Sequence, residues 1–264
     1  MNGLEMAGLS DPGRVRGENE DRITTQPALG IAVLADGMGG HQAGEVASSM
    51  AIDVITRHFS EVLGMVRKTR RSSSTSQSPE ARLVNEAIQL ANSAIYEVAH
   101  MRKDYAGMGS TIVVTMFYGD TICVGHVGDS RLYRYRDATL EQMTEDHSVV
   151  QELVNRGLAT PEEAVTVIGK NLVTRALGVD PIVVPDIHEQ KFRDSDLYLL
   201  CSDGLNDVIE DEEIAAILAD AGENLEQTTQ RMIETANERG GPDNVSVILV
   251  RTGGQFTREV EVKS

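Results

Sequence analysis

Four acidic residues end or border apolar stretches of this 264-residue chain: Asp36 in Leu34-Ala35-Asp36-Gly37, Asp129 in Gly128-Asp129-Ser130-Arg131, Asp203 in Ser202-Asp203-Gly204, and Asp243 in Gly241-Pro242-Asp243-Asn244. An aspartate followed by glycine at a strand end offers two hard oxygen ligands in succession, because a residue without Cβ lets its carbonyl approach an ion closely. A single Asp-Gly reads as a tight turn. Repetition beside several strand-like runs points instead to a carboxylate cluster. Such donors suit Mg²⁺ or Mn²⁺, whereas zinc sites usually take His or Cys. Two divalent ions about 3.5–4 Å apart, sharing one carboxylate, lower the pKa of a common water and make it a nucleophile at neutral pH. Their charge also stabilises a leaving alkoxide and the phosphoryl oxygens, so the chemistry indicated is phosphoester hydrolysis.

Other chemistries are excluded by what the sequence lacks. There is no Asp-x-Asp-x-Asp-Gly loop with Glu at its twelfth position, so a calcium hand is set aside. Cys123 and Cys201 lie in apolar runs and neither opens a Cys-x5-Arg phosphate loop, which excludes a cysteine-nucleophile phosphatase and reads as two buried free thiols. A formal charge of −17 argues against nucleic acid as partner. No apolar run reaches the roughly 18–20 residues of a membrane span and the start lacks a basic-then-apolar signal, so a cytoplasmic protein is expected.

The elements that must carry the acids follow from periodicity. Residues 4–11 and 23–25 suit edge strands, with a charged, glycine-bearing loop between them. Gly30 to Ala35 is a short continuous apolar run, a strand buried on both faces. Ala43, Val46, Ala47, Met50, Val54, Ile55 and Phe59 recur at steps of three and four along one helix face, and Leu83, Val84, Ala87, Ile88, Ala91 and Ile95 along a second. The second helix opens on Ser78-Pro79-Glu80, a cap, a first-turn Pro and a first-turn acid. Residues 64–79 between them are basic and then Ser-rich, which reads as a mobile, solvated surface loop in preference to a regulatory phosphorylation site. Thr111–Phe117 and Thr121–Val127 form a hairpin about Gly119-Asp120, with Arg131–Tyr135 continuing that meander. Short helices fall at 147–156 and 161–165, a strand at 196–201, helices at 211–219 and 225–238, and a last strand at 245–250. The expected layout is a domain over 1–251 and a polar tail over 252–264 that frays from Thr252. Antiparallel runs with paired helices predict an α+β layering.

With these motifs in order, the chain resembles the metal-dependent serine/threonine protein phosphatases of the PP2C (PPM) family, in particular its compact bacterial members. The matching stretches are Asp11-x-Gly13-x-x-Arg16-x-x-Asn19-Glu20-Asp21, Asp36-Gly37-Met38-Gly39-Gly40, Gly109-Ser110-Thr111, Gly128-Asp129-Ser130-Arg131, Asp146-His147-Ser148, Thr174-Arg175-Ala176-Leu177-Gly178, Cys201-Ser202-Asp203-Gly204 and Asp243-Asn244. One alone is weak; eight in family order, from residue 11 to about 250, are specific. The resemblance implies a four-layer αββα sandwich of two antiparallel sheets flanked by helix pairs. It implies that Asp36 bridges two Mn²⁺ or Mg²⁺ ions, that the Gly37 carbonyl binds the second, and that Asp203 and Asp243 complete the first. Glu20 and Asp21 then act through waters, Asp129 with Asp203 matches a third ion, and Arg16 matches the phosphate-contacting arginine. The implied substrates are proteins phosphorylated on Ser or Thr, the implied partners a bacterial Ser/Thr kinase and its targets, and a monomer is expected.

The chain also departs from the family. Many eukaryotic relatives carry His two residues after the bridging aspartate, where this chain has Met38, and a thioether donates no proton. His41 or a metal-bound water would have to protonate the leaving oxygen, while His126 and His147 read as structural. The region 147–171 resembles the flap of bacterial members but ends in Val167-Ile168-Gly169-Lys170-Asn171 rather than His-Pro-x-x-Asn. Two rival readings stand beside hydrolysis. One is a phosphoprotein-binding module without turnover, which the full set of matched carboxylates disfavours; the other is a phosphatase dedicated to one regulatory partner.

Overall fold

The structure is a computed structural model that describes residues 3–40, 43–65, 77–169, 172–222 and 224–257. Among the described residues eleven strands and seven α-helices run in chain order. They are β1 (Gly3–Asp11), β2 (Asp21–Gln26), β3 (Ile31–Met38), α1 (Ala43–Met65), α2 (Pro79–Met101), β4 (Gly109–Ser110), β5 (Ile112–Tyr118), β6 (Thr121–Val127), β7 (Arg131–Arg136) and β8 (Thr139–Gln142). There follow α3 (Val149–Asn155), α4 (Pro161–Ile168), β9 (Asp186–Lys191), β10 (Leu197–Cys201), α5 (Asp203–Asn206), α6 (Asp211–Ala219), α7 (Leu225–Glu238) and β11 (Val245–Gly253).

One antiparallel sheet is ordered β1-β11-β10-β7-β8 and the other β2-β3-β5-β6-β9, with β4 attached to β3. The alternation along β3 shows why they stack. Ile31, Val33 and Ala35 pack with α1 and α2, while Ala32 and Leu34 meet Leu132, Tyr198, Leu200 and Ile248 of the facing sheet. On the far side Leu199, Cys201, Val247 and Leu249 pack with α6 and α7 through Ile214, Ile217, Met232 and Ile233. The result is the expected αββα order of layers. α2 starts as the sequence indicates, with the Ser78 hydroxyl accepting from the Ala81 N–H at 2.9 Å. Cys123 and Cys201 are buried free thiols, and burial pushes the Cys201 thiol up to about 12.

Four expectations need correction. β7 does not continue the β5–β6 meander: β6 pairs with β9, and β7 pairs with β10 in the other sheet. Gly128, at φ 109°, turns the chain between sheets, and the crossover carries Asp129 with it. β8 and β9 are strands that the sequence pattern did not mark. The tail does not fray at Thr252, because β11 runs to Gly253 and Phe256 is buried in the core between the sheets, its N–H donating to Gly119 O at 2.7 Å. Finally, α1 extends to Met65, into the segment read as loop; residues 66–76 of that loop, 170–171 of the flap and 258–264 of the tail lie outside the described residues.

Candidate metal centre

The acids converge where the strands of both sheets end. Pairing of β2 with β3 sets Asp21 opposite Asp36. Asp203 opens α5 directly after β10, Asp243 precedes β11, and Asp129 sits in the β6–β7 crossover. Burial pushes the Asp36 carboxyl far above the usual range, and Asp21, Asp203, Asp129 and Asp243 all add to it by repulsion. Asp203 is raised in the same way, by burial and then by Asp129 and Asp243. Burial and then Asp146 lift Asp129 to about 6, and Glu20 is raised by burial. Five aspartates separated by up to 222 positions in sequence therefore share one electrostatic site.

Neutral side chains hold the acids in place. Ser202 Oγ donates to Asp21 Oδ2 at 2.8 Å and accepts from the Ser246 N–H at 3.0 Å. Thr111 brackets Asp36: its N–H donates to Asp36 O at 2.8 Å, and its Oγ1 accepts from the Asp36 N–H at 3.2 Å. The same hydroxyl lies 2.7 Å from Ser130 Oγ, tying the Asp36 strand to the Asp129 turn. Asn244 accepts from the Glu20 N–H at 2.8 Å and donates through Nδ2 to Pro12 O and Glu18 O, each at 2.9 Å. Sequence reasoning named Thr111, Ser202 and Asn244 only as members of motifs and passed over Ser246, although a fully buried serine between Val245 and Val247 in an apolar run is a legible signal of a polar partner.

Glycine is required at two of these joints. A Cβ on Gly37 would lie 2.1 Å from Gly44 O and 2.7 Å from Glu20 O, and one on Gly204 would lie 2.0 Å from Asn244 O. Arg16 sits at the rim with its Nη2 2.8 Å from Asp243 Oδ2 and its side chain half exposed. Met38 ends β3, and His41 lies outside the described residues.

The donor set fits divalent cations. Glu20 Oε1 and Asp21 Oδ1 are buried and accept no hydrogen bond. A buried carboxylate oxygen without a partner costs several kcal/mol, and five clustered acids with one arginine at their rim call for positive charge. All are hard oxygen donors, the chemistry of Mg²⁺ and Mn²⁺. Beside the cluster opens a cavity of about 330 Å³ bounded by Asp129, Asp203 and Arg131 and, from the flap helices, Val150, Val154 and Val165. No helix among the described residues is long and apolar enough to cross a membrane.

The sequence and the fold are similar to those of known proteins. A serine/threonine phosphatase, stp, of Listeria welshimeri is 37% identical over 244 residues, covering 91% of this chain and 93% of that protein. The crystal structure of serine/threonine phosphatase Stp1 from Staphylococcus aureus superposes with a TM-score of 0.83 at 34% identity, covering 95% of this chain and 96% of that one. The catalytic domain of the serine/threonine protein phosphatase PstP, solved in complex with two manganese ions, gives a TM-score of 0.80 at 37% identity over 97% of this chain and 99% of that one. The family model for protein phosphatase 2C matches residues 17–249, a span that takes in Glu20, Asp21, Asp36, Asp129, Asp203 and Asp243 together. An αββα sandwich with its acids gathered at one end thus places this chain in the protein phosphatase 2C family.

Proposed function

We propose that the chain hydrolyses phosphoserine and phosphothreonine on proteins, and that the buried carboxylate cluster is its metal-binding centre. The observation that carries this reading is the convergence of Asp21, Asp36, Asp129, Asp203 and Asp243 on one partly buried site with two orphaned carboxylate oxygens, Glu20 Oε1 and Asp21 Oδ1. In this reading Asp36, the Gly37 carbonyl, Asp203 and Asp243 would hold two Mn²⁺ or Mg²⁺ ions. Glu20 and Asp21 would act on them through waters, and Asp129 with Asp203 would take a third ion. Ions bound there would supply Lewis acidity that lowers the pKa of a water and neutralises charge at phosphorus. Arg16, at the rim, offers its guanidinium fork to the substrate phosphate, a planar match for two phosphate oxygens. Ser202, Thr111 and Asn244 keep the acids aimed without entering the reaction. Met38 has no proton to give, so the leaving oxygen is not protonated from residue 38. The chain acts as a cytoplasmic monomer against the products of a Ser/Thr kinase.

The test is turnover of a phosphothreonine peptide by purified protein. Chelation with EDTA should abolish it, and added Mn²⁺ should restore it. Persistent turnover in EDTA would overturn the metal reading, and metal binding without turnover of either the peptide or p-nitrophenyl phosphate would identify a binding module.

A further inference from the structure

Outside the acid cluster, His126, His147 and Asp186 bring donor atoms within 4.8 Å of one another. Their hydrogen bonds decide what they do. The Gly128 N–H donates to His147 Nδ1 at 3.1 Å, so Nδ1 carries the lone pair and Nε2 carries the proton. That proton is given to Asp186 Oδ2 at 3.1 Å, and Arg175 Nη1 pins the other Asp186 oxygen at 3.0 Å. His126 donates its own Nε2 proton to Glu145 O at 2.9 Å and stacks on the His147 ring with centroids 4.5 Å apart. Of the four imidazole nitrogens only His126 Nδ1 keeps a lone pair free, one nitrogen where a cation held by histidines would need more. The group is a relay of hydrogen bonds and not a metal cage.

The relay ends on one residue, Gly128, and the two peptide units that flank it. His147 takes up both polar groups of Gly128, since its ring accepts from the Gly128 N–H and its own N–H donates to Gly128 O at 2.9 Å. Gly128 is the turn that carries Asp129, and its φ of 109° lies in a region that glycine enters freely, so the partners on each side fix where the turn points. The other face of the turn is closed by Thr111, whose Cβ would lie 2.6 Å from a Cβ on Gly128. The carbonyl of His147 accepts from the Thr174 N–H at 2.7 Å, so one residue joins the Asp129 turn to both ends of the flap.

We propose that His147, oriented by Asp186, is a positioning residue that clamps Gly128 through its N–H and its C=O and thereby aims Asp129 into the acid cluster. This rests on the reading of Asp129 as an ion ligand. The His147 ring touches neither substrate nor ion; it acts through the turn. Loss of an outer partner of this kind typically weakens metal affinity about 10–100-fold.

The experiment is a Mn²⁺ titration of p-nitrophenyl phosphate hydrolysis by the full chain, in a double-mutant cycle of His147→Ala and Asp129→Ala. The single variant His147→Ala should raise the Mn²⁺ concentration for half-maximal turnover at least about 10-fold. His147→Asn, whose Oδ1 can still accept from the Gly128 N–H, should recover most of that loss. In the Asp129→Ala background His147→Ala should have no further effect, because the aspartate it aims is gone. An equal loss in both backgrounds would overturn the clamp and make His147 merely structural, as would no recovery with Asn. If His147→Ala does not fold, Asp186→Ala takes its place in the same cycle with the same criteria. Wild-type turnover that persists in EDTA would overturn the metal reading on which the clamp rests, whereas Mn²⁺-dependent turnover with additive variants overturns only the clamp.

Discussion

Asp36 is the residue with most at stake. Its carboxyl is buried among four others, which makes the ion-free site a store of repulsion. Replacing it with Asn should therefore split two properties that usually fall together. Turnover should drop by more than about 100-fold, because a ligand matters more than the outer partners whose loss costs 10–100-fold. The ion-free protein should become more stable by about 1–2 kcal/mol, or a few degrees in Tm at this chain length. Thermal melts in EDTA check the second part. Protons should act like the substitution. Asp21, Asp36, Asp129 and Asp203 all bind protons more tightly folded than unfolded, Asp129 titrating at about 6. The folded state then carries the extra protons, so the ion-free protein should lose stability as pH rises from about 4 through 6 and beyond. Urea midpoints in EDTA across that range test the sign; a midpoint that rises with pH would contradict it.

Among the elements, the segment from Asp243 to β11 does the most with the fewest residues. Asn244 alone ties down Pro12, Glu18 and Glu20, three positions on the far side of the sequence. Asn244→Ala should leave three backbone groups without that partner and cost about 2–3 kcal/mol by urea denaturation, with Mn²⁺ affinity falling about 10–100-fold. The strands flanking the centre were legible because both their faces are buried, as in the unbroken run Ile31–Ala35. β9 was not, because Asp186-Ile187-His188-Glu189-Gln190-Lys191 is a polar edge strand held by pairing with β6 on one side only. β8 is a second exposed edge of the same kind. The switch of β7 between sheets was hidden for a different reason: local alternation tells which face is buried, not which neighbour a strand takes. Asp36, Asp129, Asp203 and Asp243 were readable as acids bordering apolar runs, and Glu20 and Asp21 only through the family motifs. The relay through His147 was not, since its members come from β6, the start of the flap and β9, and meet only in space.

At the scale of the whole molecule, cations and fold should report on each other. Ions that bind the folded centre and not the unfolded chain stabilise by mass action, about 2.7 kcal/mol at a hundredfold excess over Kd. Mn²⁺ should accordingly raise Tm in proportion to the logarithm of its concentration, and Asp203→Asn should flatten that slope; calorimetry with and without metal measures both. The sandwich also has an opposite end, remote from chemistry. There Phe256 enters the core between the layers, packing against Gly30 so closely that a Cβ on that glycine would lie 2.5 Å from its ring, and its backbone latches onto the Gly119 turn. A latch placed there works like the clip on a folded paper: it bears no print, yet the leaves part when it is pulled. Anyone shortening this polypeptide for crystals or for a sensor should cut after residue 257, because a trim at 251 would unclip the pages while leaving every proposed ion ligand in the text.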